Sequence, residues 1–189
     1  TNFPALVTFS ENIGGGGFSY SQFAAANGYE LRFLDSDESV LLNYDAEEWN
    51  TGGTSCVWVQ VPQFTSNCSI WAYWGDSRSS STSAPAAYAV NGAAWNSSYK
   101  SVWHLNQTNR DSTANANNGA NYGNTNVSGL ISGAQGFNGS AYISLPNNGS
   151  LNVTNSLTIS SWLYSTNSSV NWYFAYSAGN GAGWTWCCS

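Results

Sequence analysis

Charge is what this sequence has least of. Asp, Glu, Lys and Arg together make up 7% of its 189 residues, against ~25% in an average soluble domain. Four basic residues face ten acidic ones, for a net charge of −6. Four scattered cations cannot build the basic stripe that neutralises phosphates, so nucleic acid is excluded as a partner. No apolar run is long enough for a membrane-spanning helix. Methionine is absent, and the opening Thr1-Asn2-Phe3-Pro4 carries no basic, apolar leader, as expected of a processed mature product or a fragment. What the chain does have is 42% hydrophobic and 15% aromatic residues, which excludes disorder through low hydrophobicity.

The little charge present is placed unevenly. Nine of the ten acids lie between Glu11 and Asp76, and residues 112 to 189 hold no charged side chain and no histidine. Asn runs the other way, with 7 up to residue 95 and 17 after it. A long uncharged, aromatic-rich stretch tends to associate, so amides, hydroxyls, attached sugars or a partner surface must cover it. Asn-x-Ser/Thr sequons occur at Asn67, Asn96, Asn106, Asn126, Asn138, Asn148, Asn152 and Asn167. These are candidate glycosylation sites, mildly enriched over the about five or six that composition alone would produce.

Alternation with period two dominates, and helical periodicity is nearly absent. Ala5, Val7 and Phe9 alternate with Leu6 and Thr8, and Val57, Val59 and Val61 with Trp58 and Gln60 before Pro62. The same pattern returns in Ile70-Ala72-Trp74, Ala141-Ile143-Leu145, Leu157-Ile159-Ser161-Leu163 and Trp172-Phe174-Tyr176. Turn signals such as Asn27-Gly28, Gly52-Gly53, Asn118-Gly119, Asn138-Gly139 and Asn148-Gly149 separate these runs. The expectation is an all-β protein of antiparallel β-sandwich or jelly-roll type. The Ser- and Ala-rich stretch from Ser77 to Ala87 marks a boundary between an acidic module over 1–93 and an Asn-rich module over 94–189.

Four blocks in the first half, Glu30-Leu31-Arg32-Phe33-Leu34-Asp35-Ser36-Asp37, Glu47-Glu48-Trp49-Asn50, Val57 to Pro62, and Ile70-Trp71-Ala72-Tyr73-Trp74-Gly75, occur in a fixed order. They resemble the domain of unknown function numbered 2341, found in large prokaryotic surface proteins. The continuation Val102-Trp103-His104-Leu105-Asn106, Asp111-Ser112-Thr113, Gly136 to Ser140 and Leu157 to Trp162 resembles a laminin-G-like, concanavalin-A-like jelly roll. Together the resemblances cover roughly residues 3 to 175. They imply a secreted protein at a cell surface, two β-sandwich modules and no established reaction. Members of the first family commonly have a further strand before the position of Pro4. A laminin-G-like jelly roll commonly takes ~150 to 200 residues, so the second module is expected to be incomplete. Half a sandwich exposes an inner sheet face and open edges, which another copy of the chain could complete by strand addition.

No catalytic constellation emerges. Asp35, Asp37 and Glu38 lack the spacing of a calcium loop and read as a solvated turn. Glu47 and Glu48, adjacent on a strand, should point to opposite faces and so cannot flank one glycosidic bond. His104, between Trp103 and Leu105, reads as structural, and Asp111 as a turn residue that accepts from its own backbone. No metal and no cofactor is expected. The four cysteines are disulfide candidates in an oxidising compartment. The preferred pairing is Cys56 with Cys68, leaving Cys187 and Cys188 as a vicinal pair or an external link; the alternative joins the first two to the last two. Trp95, Tyr99, Trp184 and Trp186 lie outside the clearest strands and are the candidates for ligand or partner contact. The leading expectation is a non-catalytic, glycosylated structural protein, a subunit or segment of a surface or fibrillar assembly whose partners are copies of itself. A carbohydrate-binding adhesin module is the alternative.

Overall fold

The structure, a computed structural model, describes residues 2–75 and 92–165 and the backbone of 171–178 and 182–188. Within these residues the chain is all-β. Among them every strand pairing is antiparallel, and the only helical pieces are single 3-10 turns at Ile13–Gly15 and Tyr20–Gln22. The boundary stretch from Ser77 to Ala87 and the sequon Asn167 lie outside the described residues.

The first half forms two three-stranded sheets. One has β5 (Ser55–Val61) at its centre, flanked by β1 (Phe3–Phe9) and β4 (Tyr44–Glu48). The other centres β2 (Arg32–Leu34) between β3 (Leu41–Leu42) and β6 (Trp71–Tyr73). The alternation in β5 does what its period requires. Ser55, Val57, Val59 and Val61 turn inward and are buried, while Trp58 and Gln60 turn outward. Phe9 from β1, Tyr44 from β4, Phe33 from β2 and Leu42 from β3 join Val57, Val59, Leu31, Phe18 and Tyr20 in one hydrophobic cluster. Because residues of both sheets share this cluster, they are its two facing layers, and each such side chain contributes on the order of 1.5–3 kcal/mol when fully buried. Phe33 and Tyr44 meet edge-on at 5.4 Å across the layers. The Tyr20 hydroxyl, held by a 3-10 turn that Ser19 caps, donates to the Phe9 carbonyl at 2.9 Å. Gly28 closes the Asn27-Gly28 turn with φ +69°, and any Cβ there would stand 2.5 Å from the Trp49 ring.

This layering corrects the preferred disulfide. A Cys56–Cys68 bond needs the chain to double back beside β5. Instead β5 is flanked by β1 and β4, and after Pro62 the chain crosses to the other sheet, where β6 pairs with β2. Cys56 and Cys68 are both free thiols. The side chains of Cys187 and Cys188 lie outside the described residues.

The second half is built from pairs. β7 (Ala120–Tyr122) pairs with β10 (Tyr142–Ser144), β8 (Thr125–Ser128) with β9 (Gly133–Gly136), and β11 (Asn171–Ala178) with β12 (Ala182–Cys188). The alternating run Leu157 to Leu163, expected as a strand, is irregular, with Leu157, Trp162 and Leu163 exposed. Alternation alone does not hold a strand; it needs a ladder partner, and none lies beside this segment among the described residues.

Candidate functional site

The outward face of the β1–β5–β4 sheet is where the two halves of the sequence meet. On β4, Asp45 lies opposite Trp58 of β5, and the ladder slips between Ala46 and Glu48. This β-bulge places one extra residue, Glu47, in the strand. It also overturns the expectation that Glu47 and Glu48 face opposite ways. Glu47 accepts from the Trp58 indole on the outward face at 2.6 Å, and Glu48 lines a cleft on that same face beside Cys56.

Into this face projects His104, from the segment after Trp103, which makes an isolated bridge with Asp111. His104 Nε2 stands 2.9 Å from Asp45 Oδ2, and its Nδ1 stands 3.2 Å from Glu47 Oε2. Side-chain exposure is 12% for His104, 13% for Asp45 and 4% for Glu47. A ring with a carboxylate at each nitrogen can donate to both only as the imidazolium. Burial works against that charge, but the hydrogen bonds and charges of Asp45 and Glu47 outweigh it and push the His104 pKa up to about 9. Burial likewise opposes ionisation of Asp45. Hydrogen bonds from His104, the Trp95 indole and Ser112, with the His104 charge, nevertheless hold it below its ordinary value.

Aromatic rings enclose the clamp. The Trp58 ring lies nearly parallel to the imidazole at 6.3 Å, and Trp95 tilts against both. The Trp95 indole donates to Asp45 Oδ2 at 2.9 Å, and Tyr99 packs edge-on against Trp95. Gln60 donates to the carbonyls of Ala93 and Ala94 at 3.1 Å, and the Asn106 amide donates to the Glu47 carbonyl at 2.5 Å. Gly133 of β9 passes so close to Asn106 that a Cβ would stand 2.2 Å from its carbonyl oxygen.

A second polar knot holds the segment that carries His104. The buried Asp111 carboxylate accepts from the backbone of Val102 at 3.0 Å, Thr113 at 2.9 Å and Asn117 at 2.8 Å, and from the Thr113 hydroxyl at 3.0 Å. Asn117, fully buried, donates to the Lys100 carbonyl and Ser101 Oγ and accepts from Ser150 and Asn148. The bond from the Thr113 backbone agrees with the turn expected at Asp111.

The other candidates are distributed as follows. Trp95 is 8% exposed and taken up by the clamp, so its ring offers little surface to a ligand; Tyr99 is half-buried. Backbone of Trp184 and Trp186 lies in β12, with their side chains outside the described residues. Asp35, Asp37 and Glu38 lie in the turn between β2 and β3. There Asp35 accepts from the backbone of Val40 and Ser39, and these bonds hold its carboxyl below the ordinary value. Among the described residues no cluster of three metal-ligating side chains occurs. Of the sequons, Asn67, Asn126, Asn138 and Asn152 are exposed and Asn96 is half-buried. The amide nitrogens of Asn106 and Asn148 are spent on Glu47 and Asn117. Sequence reasoning passed over Asp45; the signal was its spacing of two from Glu47, which puts both on one strand face.

Fold and site define an all-β antiparallel protein in which a buried carboxylate–imidazolium–carboxylate clamp ties a two-layer unit to the chain that follows. Residues 27–106 match the sequence model of a family described as a domain of unknown function (DUF2341). That segment contains Asp45, Glu47, Trp58, Trp95 and His104, so the whole clamp falls within the match. No curated protein and no solved structure matches the chain.

Proposed function

We propose that this chain is a non-catalytic, secreted structural module of a cell-surface or extracellular fibrillar assembly, with copies of itself as partners. The observation that carries the reading is the mismatch between its halves. The hydrophobic cluster among the described residues draws on positions 7 to 74. Beyond it, Tyr122, Phe137, Tyr142, Trp162 and Tyr164 are each more than half exposed, Tyr164 to 93%. Two-stranded pairs are marginal in water by themselves, and exposed aromatics rimmed by amides mark an association surface. The charge-free stretch after Asp111 lets two such surfaces meet without like-charge repulsion. A laminin-G-like second module fits the same reading. The His104 clamp fits a structural role because both faces of its chemistry are used up within the protein.

Sedimentation velocity of the purified 189-residue chain, with electron microscopy of the same sample, tests this. Concentration-dependent oligomers or filaments are expected, weakened by the double variant Trp162→Ser/Tyr164→Ser. A stable monomer at all concentrations would reject the proposal.

One observation favours a second reading, a carbohydrate-binding adhesin module. Tyr122 and Tyr142, directly opposed across β7 and β10, stack at 4.7 Å with ring planes 5° apart, and both are about half exposed. Exposed aromatic faces of this kind can carry sugar rings. Glycan-array binding that disappears in Tyr142→Ala would select this reading over the first.

A further inference from the structure

The outward face of the β1–β5–β4 sheet has a second half that the clamp does not use. Strand register sets Thr8, Cys56 and Glu48 in one row across the three strands, since Cys56 is the partner of both Thr8 and Glu48. Leu6, two residues before Thr8, shares that face. The loop between β8 and β9 hangs over this row, and the cleft between them encloses about 380 Å³, with Leu6, Thr8, Glu48, Cys56, Leu130 and Ile131 among its lining residues. That volume lies at the small end of ligand-binding pockets. Ser132, also in the lining, holds φ +142°, a conformation that non-glycine residues seldom adopt and that recurs at ligand clamps.

The chemistry of the cleft is one-sided. Glu48 is its charged group, and among the described residues no cation stands against it. Its field reaches the floor: burial pushes the Cys56 thiol up, and the charges of Glu47 and Glu48 push it further the same way. The remaining walls combine the polar residues Thr8, Asn50, Thr54 and Ser132 with the aliphatic Leu6, Leu130 and Ile131. An anion would be repelled here. A neutral apolar molecule would desolvate Glu48 without pairing it, which costs free energy. A cation on an aliphatic stem satisfies both parts, its methylenes against the leucines and its head on the carboxylate.

We propose that this cleft binds an aliphatic ammonium group, carried either by a free alkylamine or by a lysine side chain of another polypeptide. The site is independent of the assembly reading, because every residue in it belongs to one chain.

The test is a titration of the ¹⁵N-labelled full chain, followed by two-dimensional NMR. Addition of n-butylammonium should shift the amides of Thr8, Glu48, Cys56 and Ser132 with a millimolar Kd. Butyrate and n-butanol, of similar size, should leave them in place. Glu48→Gln removes the charge without removing a described hydrogen bond and should weaken binding by about tenfold or more. Leu130→Ser, at the exposed lip, should weaken it less. A capped peptide with one central lysine separates the two sources: equal shifts assign the cleft to a protein lysine, and shifts from the free amine alone assign it to a small molecule. Equal response to butanol, no response to butylammonium, or unchanged affinity in Glu48→Gln would overturn the proposal.

Discussion

His104 and Asp45 stand 59 positions apart in the chain and 2.9 Å apart in space. Their contact, doubled by Glu47, ties the segment after Trp95 to the outward face of the first sheet. A buried ion pair contributes little over an apolar replacement of the same shape, yet removing one member leaves the others as uncompensated charge. The consequences of this arrangement can be measured.

Replacing His104 with Ala leaves Asp45 and Glu47 facing each other with no cation. A loss of about 3 kcal/mol is expected in urea unfolding at pH 6. Asp45→Asn made in the His104→Ala background should cost much less than the same change in the native chain, since the pair is then already broken. Additive losses would show that the two residues do not act together.

Stability should follow pH through the same residue. The folded pKa of His104, about 9, exceeds its ordinary 6.5. Between these values the folded state holds a proton that the unfolded state releases. The contribution is therefore complete below about pH 6.5 and lost as pH rises toward and through 9. Asp45 has the opposite sign, because its pKa is lowered: its contribution is present above its ordinary 3.8 and lost as pH falls below that. Urea midpoints for the native chain should drop between pH 6.5 and 8, below the range in which the Cys56 thiol ionises, while those of His104→Gln stay level there. Parallel curves for the two proteins would rule out the clamp as the cause.

Asp111→Asn keeps the shape of the side chain but turns an NH₂ group toward backbone donors that now meet a carboxylate. With four hydrogen bonds to charged oxygen at stake, a loss of about 2–4 kcal/mol is expected in the same assay. The change should also loosen the amides of Val102, Thr113 and Asn117, measured by hydrogen exchange. A loss below about 0.5 kcal/mol, the range of ordinary surface changes, would mean that the knot contributes nothing to stability.

Free thiols at Cys56 and Cys68 have a direct chemical test. Unfolding without reductant in the presence of a maleimide should label both, read by peptide mass spectrometry. In the folded protein Cys68 should react faster than the buried Cys56. Absence of label at both sites after unfolding would reinstate the disulfide.

The all-β class and the inward set of β5 were legible in the sequence, because side chains that alternate along an extended backbone must sort to two faces whatever that strand packs against. The turn at Gly28 and the backbone bonds of Asp111 were legible for a similar reason: they depend on groups a few residues apart. Tertiary structure decided everything that depends on which strand lies beside which. It sent the chain after Pro62 to the opposite sheet and so separated Cys56 from Cys68. It placed a bulge after Ala46 that turned Glu47 and Glu48 to one face, and among the described residues it left the alternating run at Leu157 without a ladder. It also brought His104 onto two carboxylates, giving a lone histidine a charge that no local pattern encodes, because hydrogen bonding and desolvation act through space and not along the chain.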